Sequence, residues 1–168
     1  IGTSGRILLD SLKYIDEETH AVQRRSQLQD GDLLFTIAGA LGRVAVVPED
    51  FGAANINQAV APVRLHDSSQ GQFLVHGLRS IETTRQVARV SAQLAQANLS
   101  LAQLGDLVLL LPPIPGQRKI AAILTAVDDA IAATEAVIEQ LQVVKKAMMS
   151  ELLTRGIPGR HTKFKQTE

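Results

Sequence analysis

From Ile120 onward, apolar residues recur in steps that alternate four and three: Ile120, Leu124, Val127, Ile131, Ile138, Leu141, Met148 and Leu152, with Thr134 and Lys145 as polar members of the same series. This is the heptad spacing of a helix that buries one stripe against other helices. No Gly or Pro interrupts Gln117 to Arg155, so the pattern predicts one helix over those 39 residues, about 58 Å long at ~1.5 Å per residue. A second stripe, Ile123, Ala130, Val137 and Val144, makes the apolar face wider than a two-stranded seam. Pro112, Pro113 and Pro115 stop a helix arriving from upstream, and Gly156, Pro158 and Gly159 end this one. A helix of that length outruns a domain of about 110 residues, whose radius of gyration is ~13 Å. Its apolar face is therefore expected to meet another chain, through Ile120, Leu124, Val127, Ile131, Ile138, Leu141, Met148 and Leu152.

The pattern upstream is different. Gln29-Asp30-Gly31-Asp32 signals a turn into Leu33–Ile37, read as a strand. Gly39-Ala40-Leu41-Gly42 reads as a tight connection to a hairpin partner over Arg43–Val47, and Pro48–Gly52 as the next turn. Ala59–Leu65 reads as a further strand, with Pro62 placing it at an edge or bulge. Phe73 to about Gln96 has helical spacing, broken into two short helices around Arg79-Ser80, and Leu107–Leu111 reads as a buried strand. The expected fold class is α+β: a mixed domain over 1–112, a long coiled-coil-forming helix over 113–155 and a polar tail over 156–168.

Composition narrows the chemistry. Of 168 residues, 45% are hydrophobic, so a core can form, while aromatics make up 3%, too few for base-stacking platforms. There is no Cys, which excludes disulfides, thiolate metal sites and cysteine nucleophiles. Seventeen basic residues balance seventeen acidic ones, so no global field draws the chain to nucleic acid or a membrane. The longest apolar run, Leu107–Leu111, is far short of the ~20 residues of a membrane span, and a cytoplasmic protein is expected.

No catalytic constellation assembles. His20, His66, His76 and His161 form no HxxxH or HExxH pair for a metal. Gly39–Gly42 lacks the GK[ST] of a phosphate loop, and no GxSxG elbow occurs. Pro48-Glu49-Asp50 is not followed by the ExK of a nuclease, and Leu111-Pro112-Pro113-Ile114 lacks the Asn or Asp that adenine methyltransferases place before Pro-Pro. The expectation is a chain that is not an enzyme and holds neither metal nor cofactor.

Several segments, read together, resemble the specificity subunit of type I restriction–modification enzymes. Leu110–Leu124, Leu-Leu-Pro-Pro-Ile-Pro-Gly-Gln-Arg-Lys-Ile-Ala-Ala-Ile-Leu, running into Asp128-Asp129-Ala130-Ile131, is similar to that family's "LPPLPEQxxIAxxLxxxD" junction between recognition domain and spacer helix. Asp30–Arg43 resembles its "GDILxxxxGxxG" segment, Ala54–Gln58 its "xxINQ" strand, and Gln96–Ser100 with Leu104 its "xxNLSxxxL" stretch. Two departures stand out: Gly116 replaces the usual Glu, and Ala92-Gln93-Leu94-Ala95 replaces Gly/Thr-rich residues before "NLS". The beginning of a recognition domain is expected before Ile1, so the chain resembles a half-subunit or the C-terminal half of a longer one.

The resemblance implies two recognition domains held apart by antiparallel spacer helices, each reading half of a split site on double-stranded DNA. A helix of about 58 Å spans more than one DNA turn of ~34 Å. Candidate DNA-reading residues are Thr36, Arg43, Gln58, Gln96, Asn98 and Ser100, with Arg24, Arg25, Arg79, Arg85 and Arg89 as candidate phosphate contacts. Thr134 and Lys145 are candidate register-setting positions. Methylation and cleavage would belong to a methyltransferase (modification) subunit and, through it, a restriction subunit. The helix would pair with itself or with another half-subunit. The alternatives are a coiled-coil interaction protein that reads no DNA and titrates partners away, and a severed tail of a fused restriction–methyltransferase enzyme.

Overall fold

In the computed structural model, the described residues are 1, 2, 5–67, 70–92, 98–157 and 160. Three antiparallel strands form a sheet in the order β2-β1-β3, with β1 at Leu33–Thr36, β2 at Val44–Val46 and β3 at Val60–Val63. β1 is buried along its whole length because both faces of this central strand are covered. Leu33, Phe35, Val44 and Ala61 point to one side, where they meet Val75, Leu78, Val87 and Leu99. Leu34, Ala45 and Val47 point to the other and are covered by Ile1, Ile7, Leu28, Phe51 and Ile56. The period-2 alternation of strand side chains sets which residue joins which cluster. Pro62 sits in edge strand β3 opposite Leu34, where its missing N–H costs no ladder bond on the solvent side.

Helix α1 (Glu17–Val22) is capped by Asp16, whose carboxylate accepts from the Thr19 N–H at 2.6 Å. Helices α2 (Gly71–Leu78) and α3 (Ile81–Ser91) are separated at Arg79-Ser80, as the sequence pattern anticipates. The break has a local cause: the Ser80 hydroxyl accepts from the Thr83 N–H as the N-cap of α3. Thr83, itself buried, donates back to the Gly77 carbonyl at 2.8 Å. Helix α4 (Leu101–Gly105) is opened by a capping box between Ser100 and Gln103.

The expected strand at Leu107–Leu111 is not formed. Leu107 and Leu109 pack against the core, while Val108 and Leu110 are exposed. The segment is extended, but its backbone is held by a side chain: Gln86 of α3 donates to the Val108 carbonyl and accepts from the Val108 N–H, both at 2.9 Å.

The last element, α5, runs unbroken over the 42 residues Ile114–Arg155, about 63 Å at ~1.5 Å per residue. It begins three residues before Gln117, with Pro115 in its first turn, where a missing N–H is harmless. Its first turns bury Gln117 and Ala121. The chain divides into two compact units, Ile1–Ala122 and Ile123–Glu168. In the second, the apolar positions of α5 are exposed, Val127, Ile131, Leu141 and Met148 among them. Among the described residues no helix is long and apolar enough to cross a membrane, and no cluster of His, Asp and Glu is arranged to hold a metal.

Candidate functional site

The turn at the end of β1 organises the surface on which several candidate residues meet. Thr36, only 7% exposed, closes that turn: its hydroxyl donates to the Ala40 carbonyl and accepts from the Arg43 N–H at 2.9 Å. Gly39 and Gly42, with φ of 70° and 78°, supply the left-handed positions that let seven residues return to β2 without strain. Two other segments are tied to the same end of the sheet. Ala38 forms an antiparallel bridge with Asn98, and the Leu99 N–H donates to the Ile37 carbonyl at 2.7 Å. The Ile37 N–H in turn donates to the Ala59 carbonyl at 2.8 Å, adjacent to Gln58.

Arg43, Gln58, Asn98 and Ser100 are thereby gathered around one hairpin end, although they span more than fifty positions of sequence. Their tasks differ. Gln58 and Asn98 are exposed, with side chains turned to solvent rather than packed. Arg43 is half-buried, and its guanidinium donates to the Ile1 carbonyl at 2.8 Å, which orients the side chain. Ser100 is committed to capping α4: its hydroxyl accepts from the Gln103 N–H at 3.2 Å. Gln96 lies outside the described residues.

The basic candidates fall elsewhere. Arg24 and Arg25 are exposed on a 3-10 turn (Arg24–Ser26). Asn55 steadies that turn, donating to the Gln23 carbonyl at 3.2 Å and to Ser26 Oγ at 2.7 Å, and it also bonds His20 Nδ1. Arg85 and Arg89 are exposed on one face of α3, and Arg85 pairs with Glu82 at 2.6 Å. Arg79 lines, with Arg6, Phe51 and Val75, a mostly apolar cleft beside β2.

Two groups escape the sequence reading. Asp32, 2% exposed, receives Arg64 in a two-pronged pair, Nε at 2.8 Å and Nη2 at 2.7 Å, and also accepts from the Gln29 N–H at 2.9 Å. Burial alone would raise the Asp32 carboxyl; the Arg64 hydrogen bonds, the Gln29 N–H and the Arg64 charge outweigh it and hold it below the usual carboxylate range. This clip ties the first turn of the "GDxL" segment to the end of β3. Nothing local in the sequence pairs residues 32 and 64, so only the fold exposes it. Gln117, in the Pro-rich junction, is 5% exposed and donates to the Pro112 carbonyl at 2.8 Å, bracing the turn into α5.

Comparison with known proteins identifies the family. Residues 16–143 match the family described as the type I restriction modification DNA specificity domain. The chain is 31% identical over 119 residues to the type I restriction enzyme EcoBI specificity subunit of Escherichia coli, a match covering 69% of this chain and 24% of that protein. It is 27% identical over 173 residues to the MjaX type I restriction enzyme specificity subunit of Methanocaldococcus jannaschii, covering 99% of this chain and 40% of that protein. The chain thus spans less than half the length of either relative.

Proposed function

The chain belongs to the type I restriction modification DNA specificity family, and on that premise we propose that it reads one half of a split DNA target and recruits methyltransferase subunits through α5. The observation that carries the reading is that the segments bearing Arg43, Gln58 and Asn98 are tied by backbone bonds to one end of the sheet; all three residues can donate to base edges. Thr36 and Ser100 lie in the same cluster and act there as braces, fixing the loop and the α4 cap. Arg24, Arg25, Arg85 and Arg89 are proposed to touch phosphates, which position the duplex without specifying sequence. With zero formal net charge, the chain alone binds DNA weakly and with a modest salt slope. Affinity is completed by modification subunits, which supply the methyl-transfer chemistry and its cofactor. The restriction subunit joins through them, in the cytoplasm, and this chain contributes no catalytic group.

The test is a retention assay with a type I modification subunit. The complex is expected to hold one bipartite duplex over a scrambled one, and Arg43→Ala is expected to weaken or relax that preference by about 1–3 kcal/mol. A chain that binds the modification subunit but suppresses retention would be a titrating interaction protein instead. Unchanged affinity and motif in Arg43→Ala would remove Arg43 from the reading surface.

A further inference from the structure

The 3-10 turn that presents Arg24 and Arg25 buries no side chain, so hydrogen bonds rather than packing set its position. A single amide, that of Asn55, meets it from two sides. Its Nδ2 donates to the Gln23 carbonyl at 3.2 Å and to Ser26 Oγ at 2.7 Å, and its Oδ1 accepts from His20 Nδ1 in α1. Backbone bonds extend the contact: Asn55 bridges Gln27, the Leu28 N–H donates to the Ala54 carbonyl at 3.0 Å, and the Ile56 N–H donates to the Ser26 carbonyl at 2.9 Å. Asn suits this position because one short side chain offers an acceptor and two donors. An ionised Asp cannot donate, and a Ser has a single hydrogen to give.

The other end of the same segment is fastened to the sheet. Asn57 Oδ1 accepts from the Ala59 N–H at 3.0 Å, and the Ala59 carbonyl accepts from the Ile37 and Ala38 N–H groups at 2.8 and 3.2 Å. Between the two ends, Ile56 packs on the Leu34, Ala45 and Val47 side of the sheet, and Gln58 is exposed. Residues 55–58 thus form a strut of at most about 11 Å, at ~3.6 Å per residue, from the arginine turn to Gln58. The major groove, which sets base edges apart from their flanking phosphates, is of similar width at ~12 Å. We propose that Asn55 is a positioning residue for DNA binding: it holds Arg24 and Arg25 at the distance from Gln58 at which phosphate contacts set the register of base reading. That Arg24 and Arg25 meet DNA rests on the function proposed above; the task of Asn55 comes from its own bonds.

The test is the salt dependence of binding by the full chain in complex with a type I modification subunit. A fluorescent duplex of mixed sequence serves as probe, because phosphate contacts are independent of sequence. Arg24→Ala with Arg25→Ala removes two phosphate contacts and is expected to lower the slope of log K against log salt by about 2. Asn55→Ala, with both arginines present, is expected to lower it by about 1–2, and to add nothing once both arginines are gone. Ser26→Ala removes the hydroxyl that receives the Asn55 amide and is expected to shift the slope in the same direction. A wild-type slope in Asn55→Ala, or an undiminished further loss in the triple variant, would overturn the positioning role. If the urea midpoint shows that Asn55→Ala does not fold, Ser26→Ala decides, and an unchanged slope there overturns the proposal. A wild-type slope in the double arginine variant would take the turn off DNA and overturn this role alone. A wild-type complex that binds no duplex would overturn the DNA reading itself, and the role of Asn55 with it.

Discussion

At the residue scale, Asp32 and Thr36 mark the two ends of the central strand, and both are held by hydrogen bonds rather than by packing alone. The Asp32 carboxyl is depressed in the folded chain, so it binds its proton less readily there than when unfolded. Its contribution to stability is therefore complete above the unfolded carboxyl value of about 3.9 and disappears as pH falls through the lower folded value. Asp32→Asn is expected to cost about 1.5–3 kcal/mol at pH 7, the range for hydrogen bonds to a charged group. The cost should shrink at an acid pH low enough to protonate the folded carboxylate, where both chains carry a neutral side chain at this position. Urea unfolding at the two pH values checks this; equal cost at both would show that the pair contributes nothing through charge. Thr36→Val leaves the Arg43 N–H and the Ala40 carbonyl without their partner. A loss of about 1–3 kcal/mol is expected, measured by the same unfolding curve.

At the scale of elements, the hydrophobic pattern located the sheet and both central helices because alternation and helical spacing are imposed by burial. The strands observed at Leu33–Thr36, Val44–Val46 and Val60–Val63 fall within the expected segments, and Arg79-Ser80 divides α2 from α3. The pattern misled at Leu107–Leu111, where alternating exposure looks like a strand but the partner is the Gln86 amide. A side chain contributed by another helix leaves no trace in local periodicity. Helix α4 is legible in principle, because Ser100-x-x-Gln103 is a capping-box spacing, and the cap commits the Ser100 hydroxyl that polarity alone offers as a DNA contact. The short α1 was likewise signalled by Asp16 before Glu17-Glu18. Gln86→Ala should free the Val108 backbone without touching the core, so amide exchange at Val108 is expected to accelerate while that at Phe35 is unchanged. Protection at Val108 equal to wild type would show that Leu107 and Leu109 alone hold the segment. Along α5, Leu124→Asp with Ile138→Asp places carboxylates in the seam at several kcal/mol each if buried unpaired. Loss of self-association in sedimentation is expected, and a wild-type mass would move the seam to another face.

At the scale of the whole molecule, the chain joins a sheet domain with a candidate reading edge to a helix whose apolar positions are exposed. The edge is assembled from three distant segments, around residues 38, 58 and 98, and only their proximity in the fold turns scattered polar residues into a candidate surface. The heptads, by contrast, were legible throughout, because a repeating pattern needs no tertiary information. Neither level specifies a base sequence, which depends on where Arg43, Gln58 and Asn98 fall relative to a duplex. Under the proposed function, pairing of two copies through α5 would set two identical candidate edges against one split site. The most direct test is to co-express the chain with a type I modification subunit and map DNA methylation at single-base resolution. The account predicts new methylation at one split palindromic motif, lost when Leu124 and Ile138 are both changed to Asp. Absence of any methylated motif while the two subunits co-purify would contradict it.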